Sequence, residues 1–132
     1  MPGTDAHAVA RIADSLFSAI EGSDITAVEQ LFSPDVAVWK SGDDRDSDRV
    51  RSVRIIGWFI ETTAERRYQI LDRQFFDGGF VQQHVLHATA GSGGVLAMRV
   101  CMVIKVDADG LITRIDEYFD PADLAPLLDQ NP

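Results

Sequence analysis

The spacing of apolar residues changes period about halfway along the chain. In the first half it is helical. Val9, Ile12, Ala13, Leu16, Phe17 and Ile20 recur at i, i+3, i+4 and i+7, which predicts a helix over about residues 5–21. Thr4 stands where an N-cap belongs and Gly22 where a helix stops. A second, shorter helix starts after Ser23 or Asp24, with Ile25, Val28, Leu31 and Phe32 on its apolar face and Pro34 as its end. Residues 36–39 read as a short strand. The polar run 41–48 has no periodicity and reads as a solvated loop. It lacks the glycine and terminal glutamate spacing of an EF-hand calcium loop. Ser47 or Asp48 then caps a third helix reaching about Arg66, with Val50, Val53, Gly57 and Ile60 as its inner stripe.

In the second half the period drops to two. Residues 68–76, 80–89, 95–106 and 111–119 are rich in β-branched and aromatic residues. Short gaps rich in Gly and Asp separate them, at 77–79, 90–94 and 107–110. Such gaps are hairpin connections, so neighbouring strands are expected to run antiparallel. Residues 121–128 form a last short helix with Pro121 in its first turn. Helices followed by an antiparallel meander predict an α+β fold, with the helices on one face of the sheet. Val100, Cys101, Met102, Val103 and Ile104 are apolar on both alternations, so this strand needs cover on both faces. A second copy of the chain is the expected outer cover, which predicts a homodimer formed through the sheet.

Composition narrows the class. The chain has 132 residues, 45% of them hydrophobic, and reads as one domain over 1–132. Its net charge of −9 argues against a nucleic-acid partner. The single cysteine excludes an internal disulfide and a paired-cysteine metal site. No metal site is expected. No apolar stretch approaches the ~20 residues that span a bilayer, and the N-terminus lacks the pattern of a secretory signal. A cytoplasmic protein that avoids membranes is the expectation.

Chemistry then concentrates on a few side chains. Strand alternation puts Ile115, Glu117 and Phe119 on one face, and Arg114, Asp116 and Tyr118 on the other. Glu117 is thus a carboxylate among apolar neighbours, where desolvation suits it to proton transfer near neutral pH. His84 alternates with Phe80, Gln82, Leu86 and Ala88 on one face, while His87 lies on the other, so the two are not expected to chelate one ion. Cys101 reads as a small core side chain. The glycine-rich stretch 91–94 has no following Lys-Ser/Thr and no helix, which rules out a P-loop.

The runs Arg99–Val106, Asp109-Gly110-Leu111-Ile112 and Asp116-Glu117-Tyr118-Phe119-Asp120-Pro121, together with Leu31-Phe32-Ser33-Pro34-Asp35-Val36, carry a resemblance across nearly the whole chain. The sequence resembles the SnoaL-like branch of the nuclear transport factor 2-like superfamily, which includes limonene epoxide hydrolases and ketosteroid isomerases. The resemblance implies a cone of helices against a curved antiparallel sheet, enclosing a pocket. Glu117 matches the position of the catalytic aspartate that epoxide hydrolases carry before Tyr-Phe-Asp. His84 and Leu86 fall where those enzymes have an Arg-x-Asp pair, so the bridging arginine and the second carboxylate are replaced. The ketosteroid isomerase base would fall near Trp39 and Lys40, where no carboxylate stands.

The expected function is a cofactor-independent isomerase, cyclase or hydrolase acting by acid–base chemistry on a hydrophobic polyketide-, terpenoid- or steroid-like substrate. Glu117 and His84 are its expected catalytic pair. Phe17, Trp39, Trp58, Gln82, Leu86, Met102, Ile115 and Phe119 are its expected pocket. A non-catalytic carrier of an apolar metabolite is the alternative, and a pure dimerisation domain a third.

Overall fold

The computed structural model describes residues 5–128. Helix α1 (Ala6–Glu21) and helix α2 (Ile25–Leu31) lead into strand β1 (Phe32–Lys40). Helix α3 (Arg49–Thr62) follows, then strands β2 (Thr63–Phe76), β3 (Gly79–Ala90), β4 (Val95–Val106) and β5 (Ile112–Tyr118). A 3-10 turn (Pro121–Leu124) and helix α4 (Ala125–Leu128) close the described chain. Each of the three main helices starts on an aspartate. Asp5, Asp24 and Asp48 accept from the backbone N–H of Ala8, Ala27 and Arg51, satisfying donors that have no partner inside the helix. Thr4, the expected first cap, lies outside the described residues.

The sheet has five strands in the order β1-β5-β4-β3-β2. The hairpins β2-β3, β3-β4 and β4-β5 are antiparallel, but β1 lies parallel to β5. The expected all-antiparallel sheet is therefore mixed. The reason is connectivity: β1 reaches the sheet edge without a hairpin, through α3, so no tight turn dictates its direction. The β2-β3 turn depends on glycine at two places. Gly78 has φ of 85°, and a Cβ on Gly79 would lie 2.2 Å from the Ile104 carbonyl oxygen.

Two helix boundaries differ from the sequence reading. The second helix yields to strand at Phe32, so Pro34 lies within β1 rather than ending the helix. The third ends at Thr62, four residues short of Arg66, as β-branched Thr62 and Thr63 turn the chain into β2. Arg66 instead caps two helix ends from the strand, donating from Nε to the Ile20 carbonyl (2.8 Å) and from its guanidinium to Ile60 (3.1 Å). Of the expected inner stripe of α3, Val53 and Ile60 pack against the core, but Val50 and Gly57 do not. Val50 is 67% exposed, and a Cβ on Gly57 would meet nothing within 4 Å, whereas Ser52 is buried.

The core joins Val9, Leu16 and Phe17 of α1 to Phe80, Val100, Ile104 and Ile112 of the sheet. It draws only on the inward alternation. On the outward alternation of β3 and β4, Val81, Val85, Cys101 and Val103 are half-buried and take no part in it. The run 41–48 is fastened rather than free. Ser47 pairs with Val38 as a β-bridge, Asp43 binds Lys40 (3.1 Å), and Asp46 binds Arg114 (2.6 Å). Two hydrogen bonds to Asp116 and one to Asp46 hold the Arg114 guanidinium above its usual range, while the same pairing lowers Asp116.

Candidate functional site

Between the helices and the inward face of the sheet lies a cavity of about 160 Å³. Its wall is mostly apolar: Leu16, Phe17 and Ile20 from α1, Ile55, Ile56, Trp58 and Phe59 from α3, and Leu86, Met98, Met102, Ile115 and Phe119 from the sheet and its end, among others. Five lining residues carry polar side chains: Lys40, Ser47, Ser52, Tyr68 and Glu117.

Glu117 reaches the cavity because alternation along β5 turns it inward with Ile115. Among the described residues, nothing donates a hydrogen bond to its carboxylate. Desolvation raises its pKa from the usual 4.5 to about 7, with Asp43 adding to the rise and the Lys40 ammonium opposing it. Lys40 stands beside Glu117 in the β1–β5 register. Its backbone N–H and its Nζ both donate to Asp43 Oδ2, at 3.2 and 3.1 Å. Tyr68, across the cavity wall on β2, has a pKa raised by burial first and then by the charges of Glu117 and Glu21, so its phenol stays protonated. That hydroxyl has no hydrogen-bond partner among the described residues.

The sequence pointed to some of these residues and missed others. Of the expected pocket, Phe17, Trp58, Leu86, Met102, Ile115 and Phe119 line the cavity, while Trp39 and Gln82 do not. Trp39 faces outward because Val38 and Lys40 face inward. Its ring packs on Tyr118 at 5.3 Å, and its indole N–H donates to the Asp43 carbonyl. The parity of β1 carried this signal: Val36, Val38 and Lys40 share one alternation, so the lysine takes the cavity position. Gln82 is fully buried between Arg73 and His84.

His84 and Glu117 do not form the expected pair. Strand β4 lies between their strands, which sets the backbones about 10 Å apart. His84 faces Val100, while Glu117 faces Met102. The His84 ring sits behind the cavity wall, against Phe17 (5.5 Å) and Tyr68 (5.0 Å). A relay from the surface determines its state. Asp14 accepts from Arg73 (2.8 Å), and Arg73 Nε donates to Gln82 Oε1 (2.8 Å). Gln82 Nε2, a donor, then meets His84 Nδ1 at 2.8 Å. Nδ1 must accept, so the ring is neutral with its proton on Nε2. Burial first, and then the nearby Arg73 charge, lower its pKa to about 4.

Among the described residues, no group of three His, Cys, Asp or Glu side chains comes together as a metal site. Among these residues, too, no helix is long and apolar enough to cross a membrane.

Several solved structures share this fold. An LEH-like epoxide hydrolase of M. tuberculosis superposes with a TM-score of 0.74 at 21% identity, over 92% of this chain and 89% of that one. PrhC from Penicillium brasilianum gives 0.81 at 14%, over 93% and 87%. SalBIII, an epoxide hydrolase/cyclase-like enzyme with a role in pyran ring formation in the polyether salinomycin, gives 0.78 at 13%, over 90% and 95%. No functionally curated protein matches the chain. Residues 13–115 match the SnoaL-like domain. With that match spanning most of the chain, and with helices packed on one face of a five-stranded sheet to go with it, the protein belongs to the SnoaL-like family.

Proposed function

We propose that the chain is a small-molecule enzyme, an isomerase, cyclase or hydrolase, in which Glu117 moves the proton. The observation that carries this reading is a lone carboxyl group on an apolar cavity wall, with a pKa near 7 and no hydrogen bond to its oxygens. Such a group is poised to exchange a proton with a bound molecule at neutral pH. As a carboxylate it removes a proton next to a carbonyl, or takes one from an attacking water. The Tyr68 phenol, which stays protonated, and the Lys40 ammonium are among the donors available to charge developing on a substrate oxygen. His84 is a positioning residue in this scheme: its neutral ring braces Tyr68 and Phe17 from behind. The acid–base chemistry needs no cofactor. A cavity near 160 Å³ favours a one-ring terpenoid or a short polyketide over a four-ring steroid, since an apolar cavity of about 150 Å³ holds a benzene-sized guest.

The test is turnover of a panel of monocyclic epoxides and cyclic β,γ-unsaturated ketones, followed by gas chromatography. Glu117→Gln should lower kcat/KM for any substrate found by at least about 100-fold, and the wild-type rate should change around pH 7. A rise with pH identifies Glu117 as the base, and a fall identifies it as the acid. Full activity in Glu117→Gln would sink the proposal. Carriage of an apolar metabolite is the second reading. It is favoured by Leu86, which puts an apolar side chain on the cavity where the epoxide hydrolases have their second carboxylate. Recovery of every bound compound unchanged would support it.

A further inference from the structure

Helix α3 turns Ile55, Ile56 and Phe59 toward the cavity. These residues continue one stripe, and Ser52 stands at its head: 52, 55, 56 and 59 follow i, i+3, i+4 and i+7. An apolar residue would complete the stripe. Ser52 lines the cavity with only 3% of its surface exposed, and it is the only buried residue of the helix.

Its hydroxyl has no partner. A helical serine ordinarily turns its hydroxyl back to the carbonyl four residues earlier, here that of Asp48. That carbonyl accepts from the Ser52 backbone N–H at 2.9 Å, while Ser52 Oγ bonds to nothing among the described residues. Among the described residues, Arg49 Nε and Arg73 Nη2 are also fully enclosed without a partner, but both guanidinium groups bond through another nitrogen. Buried hydroxyls are satisfied as a rule, and leaving one unmade destabilises the fold. A residue needed only as a spacer would be alanine, which is also the better helix former.

We infer that Ser52 is a positioning residue for the ligand, its hydroxyl donating a hydrogen bond to the oxygen of a small, otherwise apolar molecule. The ligand class follows from the surroundings. The cavity's one cationic side chain, Lys40, is held by Asp43 at 3.1 Å, and the wall is otherwise apolar. This favours a neutral ketone, ether or epoxide oxygen over a carboxylate. The same hydrogen bond would fix which end of the molecule faces Ser52 and which carbon lies toward Glu117. The inference rests on the reading that the cavity takes a small hydrophobic molecule.

Two probes of nearly one shape separate the possibilities: acetophenone, which has a carbonyl oxygen, and ethylbenzene, which lacks it. Both are titrated by NMR into the wild-type protein and into Ser52→Ala, and both proteins are melted thermally. Ser52→Ala should weaken acetophenone about five-fold, the range of one neutral hydrogen bond. It should leave ethylbenzene within about two-fold and not lower the melting temperature. An unchanged ratio of the two affinities overturns the assignment. If that unchanged ratio comes with a lower melting temperature, the hydroxyl's role is structural. If ethylbenzene binds and Ser52→Ala does not discriminate, the cavity reading stands and Ser52 alone is wrong. If neither probe binds the folded wild-type protein, the cavity reading fails and the assignment falls with it.

Discussion

Glu117 and His84 lie on the inward face of the same sheet, yet burial moves their pKa values in opposite directions, to about 7 and about 4. Each shift carries a stability consequence of known sign. Folded Glu117 holds its proton more tightly than the unfolded chain does, so its contribution is complete below pH 4.5 and is lost as pH rises through 7. Folded His84 holds its proton more weakly, so its contribution is complete above pH 6.5 and is lost as pH falls toward 4. Between pH 4.5 and 6.5 the two slopes oppose each other. Glu117→Gln removes one of them. In urea melts this variant should lose stability as pH falls from 6.5 toward 4, and should exceed the wild type at pH 8 by up to about 3 kcal/mol. A variant no more stable than wild type at pH 8 would show that the carboxylate is not desolvated. Period two alone put Glu117 on an apolar, inward face, and the family resemblance put His84 there. Their separation was not legible, because it depends on strand order, and the partner that His84 takes instead, Gln82, sits two residues away on its own strand.

At the scale of elements, α3 departs most from its sequence pattern. Apolar residues occupy two overlapping stripes in it, and the serine at position 52 breaks the one that faces inward, so periodicity alone favours the stripe through Val50 and Gly57. Contacts with other segments decide between them, and those are not local. The parallel pairing of β1 with β5 was hidden for a similar reason, since residues some 80 positions apart in the chain have no turn between them to declare a direction. The starts of α2 and α3, each to within two residues, and all three hairpins were legible because their signals are local. Gly57 offers a test of the α3 assignment. It sits in the helix interior, and a Cβ added there has open space around it. Gly57→Ala should therefore stabilise the protein by about 1 kcal/mol through helix propensity alone, raising the melting temperature by about 4 °C. If this position were instead on the packed stripe, the added methyl would lower it.

For the molecule as a whole, the unresolved matter is the outward face of the sheet. The helices and the core use the inward alternation, yet the outward one carries Val81, Val85, Cys101 and Val103 side by side on β3 and β4, with Val81 and Val103 in direct register. Polar side chains border this strip at Arg99, Lys105 and Asp116, and Gln83 stands within it between Val81 and Val85, opposite Cys101. Apolar patches interspersed with polar groups are the make-up of a protein–protein contact, and a self-complementary sheet face is the simplest way for two copies of one chain to meet. The −9 charge does not oppose this, because Asp43, Asp46 and Asp48 lie in the fastened loop between β1 and α3, engaged by Lys40, Arg114 and the α3 N-terminus. Sedimentation velocity at micromolar concentration should give a dimer for the wild type. Val103→Glu should give a monomer, because burying a new carboxylate in the contact carries a desolvation cost that valine does not. The variant should keep its cavity, since Val103 points away from it, so ethylbenzene binding by the monomer separates loss of the contact from loss of the fold. A wild-type protein that sediments as a monomer across this range would leave the valine strip without a partner of its own kind.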